Sequence, residues 1–133
     1  MESLLPLLLL ISITSIIGLT LRAKKGVIIK GSRLKISEGE FDGKYGSRLT
    51  ILQFSTTFCS ECRTAKAIVK DVVKDSKDIT YIEVDAESNL NLVRRVDIRT
   101  TPTTIFLDSK GFEIARAKGA PKRDQLIKAI KAI

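Results

Sequence analysis

The longest apolar run lies at the start of the chain. Ser3 to Leu21, SLLPLLLLISITSIIGLTL, holds nineteen residues without a charge. At a helical rise of about 1.5 Å per residue it extends roughly 28 Å, close to the hydrocarbon thickness of a bilayer. Pro6 falls in its first turn, where a missing N–H costs little. The pattern then changes abruptly. Residues 22–33 are polar and basic, with Gly26 and Gly31 as punctuation. Leu34–Ile36 is a candidate short edge strand, and the glycine-bearing stretch 37–47 predicts a short helix and a turn. Leu49–Ser55 is a continuous β-prone run, the pattern of a strand buried on both faces. From Cys59 to Ser76, Ala65, Ile68, Val69, Val72 and Val73 recur at helical spacing between lysines and aspartates, which predicts an amphipathic helix.

The second half repeats this grammar. Ile79–Asp85 alternates well enough to be a strand, and Ser88 or Asn89 is placed to cap a short helix reaching Val96. Thr103–Leu107 is a strand, Ser109-Lys110-Gly111 a hairpin turn, and Phe112–Ala117 an expected edge strand. Pro121 suits the first position of a last helix that buries Leu126, Ile127, Ile130 and Ile133. Crossover helices imply parallel pairing, and the closing hairpin adds an antiparallel edge. The expected architecture is an α/β mixed sheet with helices on both faces, preceded by one transmembrane helix. The expected division is an anchor over 1–21, a basic juxtamembrane linker over 22–33, and one domain over 34–133.

Charge sharpens the reading of the N-terminal part. The formal net charge is +8. Arg22, Lys24, Lys25, Lys30, Arg33 and Lys35 carry most of the excess with no acid among them, whereas residues 36–133 are nearly balanced. A basic cluster beside an apolar run is a topology signal and a contact for anionic lipid. No aromatic-plus-basic stripe accompanies it, so no nucleic-acid partner is expected. A cleaved signal peptide needs a basic start and a small-residue cleavage site. Met1-Glu2 and Leu19-Thr20-Leu21-Arg22 offer neither, so a retained signal-anchor through residues 3–21 is expected. The basic flank follows the span, which predicts a single-pass protein with its domain in the cytoplasm; the alternative is an extracytoplasmic domain.

Histidine is absent, which excludes Ser–His–Asp and Cys–His hydrolases. The chain has two cysteines, spaced Cys59-Ser60-Glu61-Cys62. Random placement would give this spacing roughly once in seventy arrangements, so the pair asks for a chemical reason. It falls where a buried strand ends and a helix begins, where unpaired N–H groups and the helix dipole stabilise a thiolate. One sulfur can attack a disulfide and the other resolve the mixed disulfide. A zinc site would need two more ligands, and a purely structural disulfide over so short a loop removes little chain entropy. Two inert buried cysteines are the remaining plain reading.

Three separated features together resemble the thioredoxin family over about residues 34–133: Phe58-Cys59-Ser60-Glu61-Cys62 after a strand, Val84-Asp85 closing the next strand, and Arg99-Thr100-Thr101-Pro102-Thr103 followed by a hairpin and Gly119. The resemblance implies a thioredoxin-like domain and a thiol–disulfide oxidoreductase acting on protein thiols and disulfides. It implies Cys59 as the exposed nucleophile, Cys62 as the buried resolving thiol, and a cis peptide bond before Pro102. It also places Phe58, Thr101, Pro102 and Gly119 at the substrate, with the Thr101 backbone pairing with an extended segment and Gly119 allowing close approach. A reductase or oxidase partner would recycle the dithiol; no organic cofactor and no metal are called for. The departures are specific. The family's Trp-Cys-Gly-Pro-Cys is replaced at Phe58, Ser60 and Glu61; its buried Asp falls on Gln53, and the lysine partnering that Asp falls on Tyr81. Gln53 cannot shuttle a proton, and Glu61 should oppose thiolate formation at Cys59. The alternatives are a non-catalytic membrane adaptor that keeps the fold for protein binding and a thiol metal carrier.

Overall fold

The computed structural model describes residues 4–133. Ser3 and the Met1-Glu2 flank lie outside the described residues. The chain forms α1 (Leu4–Ala23), β1 (Ile28–Lys30), a 3₁₀ turn (Glu38–Glu40), β2 (Leu49–Ser55), α2 (Ser60–Val73), β3 (Ile79–Asp85), α3 (Leu90–Arg95), β4 (Thr103–Asp108), β5 (Glu113–Lys118) and α4 (Arg123–Ala132). The five strands make one mixed sheet in the order β1-β5-β4-β2-β3. Only β2 and β3 run parallel, because a helix joins them; the other pairs are antiparallel.

β2 is central, and every one of its seven residues is buried. Its alternation divides the core. Leu49 and Ile51 face one cluster with Val69 and Val73 of α2, Phe106 of β4, and Leu126 and Ile130 of α4. Leu52 and Phe54 face the other with Leu92 of α3, Val96, Ile105, Leu107, Ile36 and Phe41. A period of two along a strand sends neighbours to opposite faces, so one strand seeds both cores. Truncating Leu52 or Phe54 to alanine would cost about 2–5 kcal/mol by the usual cavity penalty.

The register lines up one end of the sheet. Ser55 of β2 lies beside Asp85 of β3, and Phe54 pairs with Thr103 of β4. Thr103 in turn pairs with Lys118 of β5, and Ile28 of β1 with Ala117. The last residues of β2, β3 and β5 and the first residues of β4 and β1 therefore share an end.

Four expectations are corrected. The edge strand is Ile28–Lys30, inside the stretch read as linker, and not Leu34–Ile36, where Lys35 makes only a lone bridge to Phe112. Two β-branched isoleucines pair with β5 before the chain turns at Gly31, whose missing Cβ lets it pack against the Ala115 N–H, 2.9 Å from where a Cβ would sit. Consequently β5, expected at the edge, is interior. Pro121 is not the first residue of α4, which begins at Arg123 with Lys122 as its N-cap. Ile133 stays exposed, since the helix ends at Ala132 before that turn reaches the core.

A buried carboxylate on β5, paired with Arg116 of the same strand, is hydrogen-bonded by Ser32 from the segment after β1. Glu113 is fully buried and accepts from Arg116 Nε at 2.6 Å and from the Ser32 hydroxyl. Burial pushes the Glu113 pKa up, but the hydrogen bonds from Arg116 and Ser32 outweigh it, and the net shift is downward. Above the ordinary glutamate value, about 4.3, this interaction contributes in full; it is lost as pH falls through the lower folded-state value. Glu113→Gln should lower unfolding stability by about 2–3 kcal/mol at neutral pH. The difference between wild type and variant should shrink below the normal carboxylate range in urea titrations at several pH values.

Candidate active site

The loop leaving β2 carries the thiols. Cys59 has extended backbone and is the N-cap of α2; its sulfur accepts a hydrogen bond from the Cys62 N–H at 3.1 Å. The turn at Thr57–Phe58 takes the chain out of the strand direction, Cys59 caps the helix, and Ala65, Val69 and Val73 hold the following turns onto the sheet. Cys59 is partly exposed and Cys62 buried, and the two form a disulfide with Cα atoms 5.2 Å apart. Phe58, just before them, is 96% exposed.

The second loop comes from the other side of the same sheet end. The Thr101–Pro102 peptide bond is cis, and Pro102 is buried. The Pro102 carbonyl accepts from the Gly119 N–H at 2.8 Å, and the Thr103 hydroxyl donates to the Thr100 carbonyl at 2.7 Å. The Thr56 and Thr101 hydroxyls meet at 3.4 Å, linking the cysteine loop to the proline loop. Gly119 has φ of +81°, and a Cβ there would make only ordinary contacts, the nearest at 3.4 Å. Conformation, more than crowding, selects glycine at this position.

Beneath the thiols the buried polar groups are neutral. Gln53 Nε2 donates to the Cys62 carbonyl at 2.9 Å and to the Ser55 hydroxyl at 3.0 Å. The Tyr81 hydroxyl donates to Gln53 Oε1 at 3.0 Å. Burial, and then the neighbouring Glu83 carboxylate, push the Tyr81 pKa well above its ordinary value, so the phenol keeps its proton. The two positions that depart from the family pattern thus satisfy each other, a contact that neither residue announces alone. Asp85 has a local role: the Ser88 hydroxyl and the Glu87 N–H bind its carboxylate and hold its pKa below the usual range, closing the turn after β3.

Sequence reasoning missed the contribution of the N-terminal segment. The Gly26 N–H donates to the Lys118 carbonyl at 2.7 Å. A cavity of about 370 Å³ beside the proline loop is lined by Leu21, Lys24, Lys25, Glu61, Thr100, Thr101, Lys118 and Gly119. The signal available was Gly26 itself, a punctuation residue directly before the β-branched run Val27-Ile28-Ile29. Glu61 therefore lines the same cavity as three lysines, Lys24, Lys25 and Lys118.

A mixed sheet presenting a cysteine pair at a helix start, opposite a cis-proline loop, defines a dithiol protein of the thioredoxin-like α/β class. A thioredoxin family model matches residues 33–132. Rice (Oryza sativa subsp. japonica) thioredoxin H5 is 31% identical over 77 residues, covering 58% of this chain and 56% of its own length. Ophiophagus hannah thioredoxin is 28% identical over 86 residues, covering 65% and 80%. The spinach chloroplast thioredoxin F structure superposes with a TM-score of 0.57 at 25% identity, over 65% of this chain and 77% of that one. The chain belongs to the thioredoxin family. Thioredoxins are protein-disulfide oxidoreductases, and this chain has its cysteine pair at the position that activity requires.

Two substitutions probe the departures. Glu61→Gln removes a negative charge beside the helix start and should speed alkylation of reduced Cys59 at neutral pH about two- to fivefold, moving the rate–pH profile to lower pH. Tyr81→Phe leaves the buried Gln53 carbonyl without its donor and should cost about 1–2 kcal/mol of stability. The thiol profile should stay in place, because the phenol is already protonated.

Proposed function

We propose that this protein exchanges disulfides with protein substrates through Cys59 and Cys62 while anchored to a membrane. The observation that carries the reading is the asymmetry of the pair: Cys59 caps the helix and is partly exposed, whereas Cys62 is buried behind it. In the reducing direction, the Cys59 thiolate attacks one sulfur of a client disulfide, forming a mixed disulfide and releasing the other client sulfur as a thiolate. Cys62, as thiolate, then attacks Cys59 Sγ, leaving the Cys59–Cys62 disulfide and a reduced client. The helix start favours the Cys59 thiolate. The Thr101 backbone pairs with an extended client segment as an added strand, with Phe58, Pro102 and Gly119 bordering it. Gln53 and Tyr81 offer no proton acceptor, so the Cys62 proton leaves to water or another group. A reductase or oxidase partner resets the dithiol at the same end of the domain.

α1 supports the anchor: it has twenty residues, a mean hydropathy of 2.4 and no buried residue. The proposed organisation is a span within residues 1–21, the basic segment 22–33 with β1 inside it, and the thioredoxin-like domain to 133. The basic flank orients the domain to the cytoplasm.

Cys59→Ser should abolish reduction of insulin or of the client, and Cys62→Ser should accumulate mixed disulfides visible on non-reducing gels. Full activity in Cys59→Ser would end the proposal. Slow alkylation of reduced Cys59 near neutral pH would favour the adaptor reading that Gln53 motivates. Resistance of the full chain to carbonate extraction checks the anchor, and a reporter fused after Ile133 checks the side.

A further inference from the structure

We infer that the dithiol end of the domain is held against the lipid surface, so that the disulfides it exchanges with lie in juxtamembrane segments of membrane proteins. This rests on the reading of α1 as a membrane span. It comes from where the chain leaves the span. Leu4 to Leu21 extends about 27 Å at 1.5 Å per residue, so the hydrocarbon ends near Arg22. Only Lys24 and Lys25 separate the end of α1 at Ala23 from Gly26. Gly26 is buried, is pinned to the Lys118 carbonyl, and leaves no room for a Cβ, which would fall 2.1 Å from the Ala120 carbonyl oxygen. At no more than about 3.6 Å per residue, the connection allows roughly 10 Å of travel.

The pin sits at the reacting end and not the far one. Lys118 pairs with Thr103, the residue after Pro102, and Gly119 donates to the Pro102 carbonyl. Leu21, from the last turn of α1, lines the same cavity as Thr100, Thr101 and Glu61. The opposite end of the sheet, with the Ser109–Lys110 turn, lies about 20 Å away at roughly 3.3 Å per strand residue. Charge and exposure agree with this placement. Arg22, Lys24 and Lys25 fall at headgroup depth, where basic side chains gain from anionic lipid. Phe58 projects from the same end, nearly fully exposed, an apolar ring of the kind that enters the headgroup–acyl boundary.

The full chain, carrying Cys59→Ser and Cys62→Ser, would be labelled with a fluorophore at Thr57→Cys or at Lys110→Cys. It would be reconstituted in phosphatidylcholine vesicles containing phosphatidylserine and a headgroup-spin-labelled lipid. Strong quenching at 57 and weak quenching at 110 is expected; equal quenching, or more at 110, overturns the orientation. Failure to float with the vesicles removes the anchor and this inference with it. A second measurement uses the native sequence, pre-reduced with a dithiol. A peptide disulfide placed directly on a membrane anchor should be reduced about tenfold faster than one on a long flexible tether, through effective concentration. Inserting about 20 Gly/Ser residues between Ala23 and Lys24, a coil of roughly 25 Å, should erase that preference and leave insulin reduction unchanged. Equal rates in the native chain, or a preference that survives the insertion, refute the inference. Absent insulin reduction with the quenching order intact supports the orientation and strikes only at the thiol chemistry.

Discussion

A strand buried along its whole length has to satisfy its backbone on both sides, because an unpaired N–H or C=O in the core costs as much as a lost hydrogen bond. β2 meets that demand with β3 on one side and β4 on the other. Everything functional follows from the pairing. It sets Ser55 beside Asp85 and Phe54 opposite Thr103, so the cysteine loop and the proline loop leave the sheet together. A one-residue slip of β4 would turn Ile105 and Leu107 out of one core and Phe106 out of the other. It would also carry Pro102 away from its place. The same hydrophobic pattern that stabilises the domain therefore fixes the reacting geometry.

The chemistry is built on a neutral floor. A buried carboxylate under the thiols would bring a desolvation cost and a proton acceptor together. Gln53 brings neither, and its amide is spent on Cys62, Ser55 and Tyr81. Charge is moved to the rim instead, where Glu61 faces Lys24, Lys25 and Lys118 around one cavity. Surface charges of this kind tune a thiol modestly and are screened by salt, whereas a buried group would act strongly.

The N-terminal segment joins α1 to the site more closely than a tether needs to. β1 adds a fifth strand that covers β5, and Glu113 binds Ser32 just beyond it. With Gly26 fixed to Lys118, the exit from α1 becomes part of the wall beside Thr101. A flexible linker would leave α1 and the domain independent; a paired strand and the Ser32–Glu113 hydrogen bond do not.

The sequence by itself determined most of the elements and the cysteine pair. Continuous apolar runs, helical spacing after Cys59 and the Cys59–Cys62 interval are local patterns, and local patterns survive in a one-dimensional reading. Hence β2, α2, the hairpin and the apolar N-terminal helix were legible, as were the two thiols. Tertiary structure decided what depends on residues far apart in the chain. The partner of β5 is a three-residue strand too short to carry a pattern of its own, so Ile28–Lys30 was read as linker. Gln53 and Tyr81 were each visible, but their hydrogen bond depends on the β2–β3 register. Gly119 carries a positive φ, which is set by the whole turn after β5. Lys24 and Lys25 line the same cavity as Glu61 because Gly26 is bonded to Lys118, a contact across more than ninety residues that no spacing rule encodes.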